Sequence, residues 1–97
     1  MYALRMDRIF AWNPEKNRKL INERGISFEA IVWAIENGQT LDILSGQGKF
    51  SHQKQYVVEI NDYAYVVPFV EDEKKIFLKT IMPSRRMTKH YLGGNIQ

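Results

Sequence analysis

Arg85, Arg86, Lys89 and His90 stand close together behind Ser84 and ahead of Tyr91, and no acidic residue follows Glu73 in the chain. On a helix beginning near Ser84, steps of about 100° per residue gather those four side chains into a sector roughly 140° wide, with Met87 and Tyr91 on the opposite side. One side of such a helix is cationic and the other docks. Arginine forks grip phosphate oxygens in pairs, and Ser84 with the N–H groups of the first turn adds a helix terminus that favours anions. Lys75 and Lys79, on the strand expected just before, extend the positive tract. The chemistry this permits is recognition of a nucleic acid. The plain alternative is a solvated helix end, where cations also complement the dipole.

Other groups could share the work. His52 falls with Lys49 and Lys54 in a polar segment from Ser45 to Lys54 that has no helical or strand period, and loops commonly carry active groups. Glu59 is a candidate base if its strand faces the terminal helix, although a carboxylate between Val58 and Ile60 also suits the outward position of an alternating strand. Tyr91 either donates a hydrogen bond or anchors the helix by its ring beside Met87. Trp12, Trp33, Tyr56, Tyr63 and Tyr65 suit a core better than base stacking; any left exposed could equally form a surface that a partner protein covers. With no cysteine and only two histidines, the chain is without disulfides, thiolate catalysis or sulfur-ligated zinc, and neither a metal nor a cofactor is expected.

The elements that must position these groups follow from capping residues and periodicity. Arg8-Ile9-Phe10-Ala11-Trp12 reads as a first strand, ended by Asn13-Pro14, a cap and a first-turn residue that open a helix running to Arg24. Gly25 stops that helix, and Ile26 is placed to meet Ile21 in a Schellman motif and Ile31 as a staple. Ser27 caps a second helix, in which Phe28, Ile31, Val32 and Ile35 recur at helical spacing before Gly38. Beyond it the period becomes that of strands: Leu41 with Ile43, then 56–60, 63–70 and 75–81, with hairpins expected at Asn61-Asp62 and at 71–74. Pro68 suggests an edge strand or a bulge.

The fold class is therefore α+β, a small single domain over residues 1–97 with an antiparallel sheet, two N-terminal helices and one C-terminal helix, the helices on one face. A 97-residue chain with 44% hydrophobic and 26% charged residues is of globular composition and supports one core. A net charge of +3 is compatible with binding phosphate polymers without requiring it. The N-terminus lacks the apolar core of a signal peptide, and no stretch approaches the roughly 20 apolar residues of a membrane span, so a cytoplasmic protein with no membrane partner is expected.

Three segments carry a resemblance in order and spacing: Phe10-x-Trp12-Asn13-Pro14-Glu15-Lys16-Asn17, then Gly25-Ile26-Ser27-Phe28-Glu29-Ala30, then Ser84-Arg85-Arg86-x-Thr88-Lys89 with Tyr91. Together they resemble the BrnT-type toxins of bacterial type II toxin–antitoxin pairs over nearly the whole chain. The resemblance implies a RelE-like fold, endoribonuclease activity on RNA without a metal, and neutralisation by a ribbon-helix-helix antitoxin, with homo- or hetero-oligomers possible. If RNA is cleaved, the reaction is attack of a ribose 2′-hydroxyl on the adjacent phosphate, which needs proton transfer and cations around the phosphorane. Arg85, Arg86 and Lys79 are the candidate cations and His90 the candidate proton-transfer group. Ser84, Lys89, Tyr91 and Lys75 are candidate RNA contacts.

The chain departs from such relatives where they carry a histidine before the helix-ending glycine and it has Arg24; where they carry aspartate and it has Asn13; and in Met82-Pro83 ahead of the serine. A second reading accordingly keeps the fold and the partner surface without cleavage, as a binding module. A third, direct binding of DNA by the basic helix, lacks a helix-turn-helix to support it.

Overall fold

The computed structural model describes residues 8–46, 48 and 53–93. His52 and Lys49 fall outside them.

Strand β1 (Ile9–Ala11) leads into helix α1 (Pro14–Arg24). The Asn13 side-chain oxygen accepts the N–H groups of Glu15 at 2.8 Å and Lys16 at 3.1 Å, and Pro14 takes the first turn, where its missing N–H costs nothing. Gly25, at φ 68°, ends the helix by donating its N–H to the Ile21 carbonyl. A side chain at that φ would be strained, so glycine is the natural stop. Ile26 turns into the core, while Ile21 is 45% exposed.

Ser27 caps helix α2 (Phe28–Glu36) by accepting the Ala30 N–H. Its buried stripe is Phe28, Ile31, Ala34 and Ile35, with Val32 at its margin. Asn17 fixes the angle between the two helices. It is buried, accepts the Phe28 N–H at 2.8 Å and donates to Glu29 at 2.8 Å, so both ends of its amide are satisfied.

The strands that follow are β2 (Thr40–Ser45), β3 (Lys54–Ile60), β4 (Tyr63–Glu71), β5 (Lys75–Leu78) and the short β6 (Met82–Pro83); helix α3 (Arg85–Leu92) closes the described chain. Their order across the sheet is β1-β5-β4-β3-β2, with β6 also on β4. β3 to β5 form the antiparallel meander that the two hairpins imply, and β2 extends it by pairing antiparallel with β3. Asn61 and Asp62 both adopt positive φ, the conformation that a two-residue hairpin loop requires. At the second hairpin the Asp72 carboxylate accepts the N–H groups of Lys74 and Lys75, which holds its pKa below the ordinary aspartate value. The sheet is mixed, however. β1 runs parallel to β5: the two helices carry the chain from β1 to β2 at the far edge, in the opposite direction, and the three antiparallel steps of the meander bring β5 back beside β1 in the same direction.

Two further expectations change. The strand expected over 75–81 ends at Leu78, and after a break the chain rejoins β4 as β6. Pro68 lies in the central strand β4, not at an edge. Its carbonyl accepts the Lys79 N–H at 2.8 Å, so its nitrogen faces the gap where β5 hands over to β6, and the missing donor is no loss.

Register and alternation then separate the two faces of the sheet. Tyr56, Val58, Val67, Phe69, Ile76 and Leu78 share one face and form the core with Leu20, Phe28, Ile31 and Ile35 of α1 and α2. Val57, Ala64 and Val66 point the other way and are also buried, under α3. The helices therefore lie on both faces, two on one and α3 on the other. The reason is geometric: β6 brings the chain to the open side of β4, and α3 crosses the uncovered face from there to β2.

Candidate nucleic-acid interface

Helix α3 is positioned from three sides. Ser84 caps it, its hydroxyl oxygen accepting the Met87 N–H, while its own N–H donates to the Ala64 carbonyl at 3.0 Å. Thr88, one turn on and buried, accepts the Ala64 N–H at 2.9 Å and donates its hydroxyl proton to the Ser84 carbonyl at 2.7 Å. Near the other end the Tyr91 hydroxyl donates to the Asp42 carboxylate on β2. Asp42 also accepts the N–H of Ile43 at 2.7 Å.

The hydrogen bond from Tyr91, then that from Ile43, and then the nearby His90 hold the Asp42 carboxyl below its ordinary pKa. The same contact holds the Tyr91 phenol above its ordinary value, so Tyr91 remains a donor. The His90 ring stands edge-on to Tyr91, with centroids 4.6 Å apart. The backbone carbonyl of Ile81, just before β6, is tied back to α1 by Arg24, whose guanidinium donates to it at 2.5 Å.

These contacts divide the cationic sector. Arg86 and His90 line a cleft of about 280 Å³ together with Leu44, Met87 and Tyr91, between α3 and the edge strand β2. Arg85 and Lys89 are exposed and do not line it. Ser84 uses its hydroxyl as a cap. Lys79 is exposed in the break between β5 and β6. Lys75 lines a separate hollow of about 250 Å³ with Val70, Glu71, Asp72 and Phe77. Glu59 is on the face that α3 covers, in register with Ala64, but is not among the lining residues of the cleft. Among the described residues no group of His, Cys, Asp and Glu side chains could hold a metal.

This framework has a counterpart among solved structures. The crystal structure of YafQ from E. coli strain BL21(DE3) superposes with a TM-score of 0.51 over 82% of this chain and 97% of that chain, at 11% sequence identity. The fold is RelE-like. A crystal structure of a YafQ mutant from E. coli is also similar, with 14% identity, the same shares covered and a TM-score of 0.48. No protein-family model and no curated protein sequence matches the chain. Among the described residues no helix is long and apolar enough to cross a membrane.

Asp42 and Leu44 were not legible as site residues. Asp42 sits between Leu41 and Ile43 as any outward residue of an alternating strand would, and Tyr91 is 49 positions away. The one available signal was period: Asp42 and Leu44 share a strand face, and Met87 and Tyr91 share the docking side of α3.

Proposed function

We propose that this protein is the toxin of a type II toxin–antitoxin pair, of the BrnT type, and a metal-independent endoribonuclease acting on RNA. The observation that carries the reading is the pairing of Arg86 with His90 in one cleft on the α3 face of a RelE-like fold. The residue resemblance over the chain supports it independently of the fold. In the cleft His90 takes the proton of a ribose 2′-hydroxyl as that oxygen bonds to phosphorus. The bond to the 5′-oxygen breaks, and the leaving oxygen takes a proton from water. A 2′,3′-cyclic phosphate and a 5′-hydroxyl result. Arg86 offers its fork to the phosphorane oxygens, where charge develops. Tyr91, held by Asp42, keeps α3 in place and is a positioning residue. Arg85, Lys89, Lys75 and Lys79 lie outside the cleft and are proposed to steer the RNA backbone rather than touch the reacting atoms.

Purified protein incubated with RNA in the presence of a chelator tests this reading. Cleavage is expected, with Arg86→Ala and His90→Ala each slowing it at least about 10²-fold and Arg85→Ala far less. RNA left intact by the unmodified protein would remove the enzyme and leave the binding module. That second reading has an observation of its own, since Arg24 stands where relatives carry histidine and is engaged with the Ile81 carbonyl. Equal cleavage by all three variants would move the site elsewhere. The proposed partner is a ribbon-helix-helix antitoxin, expected to be encoded beside this gene and to suppress cleavage when co-purified; the cytoplasm is the proposed compartment.

A further inference from the structure

On the sheet face away from α3, helix α2 and the β3–β4 hairpin enclose a second groove of about 420 Å³, lined by Ala30, Trp33, Gln39, Ile60 and Asn61. Trp33 is 61% exposed there, an amphipathic ring of the kind that dominates protein interfaces when a partner covers it. The lining carries no charge, but its surroundings carry one sign. Glu29 precedes Trp33 by four positions and Glu36 follows by three, so both flank it on α2, and Asp62 adjoins Asn61 on the opposite wall. The whole of residues 25–48 contains three carboxylates and no lysine or arginine, and residues 55–73 contain five carboxylates and none. Both walls of the groove are drawn from these two tracts, although the chain as a whole is basic.

We propose that this groove docks a cationic, amphipathic segment of a protein partner, an apolar side chain packing on Trp33 and flanking lysines or arginines meeting Glu29, Glu36 and Asp62. Charge decides between occupants. A phosphate backbone would meet carboxylates on both walls, and a second copy meeting groove to groove would set the same acidic rim against itself, whereas a basic segment gains from each; a head-to-tail copy offering its own α3 is separated by raising the protein concentration alone. For the biological role of that segment the inference rests on the toxin–antitoxin reading, in which the antitoxin supplies it. The groove's choice of charge is measurable whether or not RNA is cleaved.

The test uses the full chain carrying Trp12→Phe, which keeps an aromatic ring against Phe28 and leaves Trp33 as the one tryptophan. The probes are a helical Leu/Lys peptide and a Leu/Glu peptide of equal length, fluorescein-labelled. The Leu/Lys peptide is expected to shift Trp33 emission to the blue and to shield it from acrylamide, and the Leu/Glu peptide to do neither. By fluorescence anisotropy, Trp33→Ala in the otherwise unmodified chain weakens Leu/Lys binding at least about tenfold, and Glu36→Lys, exposed on the same helix, weakens it and flattens its salt dependence. Equal binding of both peptides, or undiminished binding by Trp33→Ala, would overturn the proposal. So would shielding of Trp33 by an RNA oligonucleotide or by raised protein concentration alone. Loss of RNA cleavage in the separate chelator experiment would change none of these readings.

Discussion

Beneath α1 and α2 the sheet buries Tyr56, Val58, Val67, Phe69, Ile76 and Leu78, whereas beneath α3 it buries Val57, Ala64 and Val66, residues that are mostly smaller, beside the hydroxyl of Thr88. Each side contains one buried polar side chain among the described residues, Asn17 and Thr88 respectively. Asn17 joins two helices already packed on a deep apolar core; Thr88 and Ser84 fasten a short helix to one residue, Ala64. Because apolar area removed from water supplies most of the folding free energy, the first side carries stability and the second carries placement. The side that places Arg86 and His90 is thus the one held mainly by directional polar contacts.

Deleting the ring at the centre of the deeper side should have the largest effect. Phe28→Ala removes a fully buried side chain that stacks on Trp12, and is expected to cost about 3–5 kcal/mol and to unfold both sides together in urea. Thr88→Val keeps the volume but leaves the Ala64 N–H unpaired, at about 1–3 kcal/mol. Here the comparison is sharpened: the Tyr91 ring resonances in an NMR titration with urea should shift before the far-ultraviolet circular dichroism signal of the whole domain, and a single coincident transition would refute the division.

The smallest effect is expected at the Asp42–Tyr91 contact, which is solvent-accessible. Asp42 has a lowered pKa in the fold, so its contribution is present above the ordinary aspartate range near pH 4 and is lost as pH falls through the folded value. Tyr91 has a raised pKa, so its contribution is present below about pH 10 and is lost as pH rises through the folded value. Tyr91→Phe should remove the alkaline limb, shrink the acid limb that Ile43 and His90 still sustain, and lose the small contribution at neutral pH, and Asp42→Asn should bring the Tyr91 phenolate midpoint down toward its ordinary value.

Legibility in the sequence followed the range of the interactions. Asn13, Gly25, Ser27, Asn61-Asp62 and Ser84 act within a few residues of themselves, and each forms the cap or turn that its type and position implied. The α+β class and the meander followed from them and from the strand periods. What escaped was set by contacts between distant segments: the parallel pairing of β1 with β5, the handover at Pro68 and the sheet face taken by α3. The same limit applied to the site. The helical wheel gathered Arg85, Arg86, Lys89 and His90, but the wall that divides them comes from Leu44 on β2, and the contact that ties β2 to α3 is that of Asp42 with Tyr91, which no local pattern announces.

Ala64 gives this architecture an internal clock. Its amide proton is held by the Thr88 hydroxyl, whereas the amide of Tyr65, the next residue, points toward β3 by strand alternation. Adjacent amides on one strand therefore keep different time in deuterium exchange: Tyr65 waits for the sheet to part, while Ala64 is released whenever α3 lifts away. The ratio of their rates measures how often the cationic helix departs from an otherwise intact domain, and a ligand seated in the α3 cleft should slow Ala64 alone.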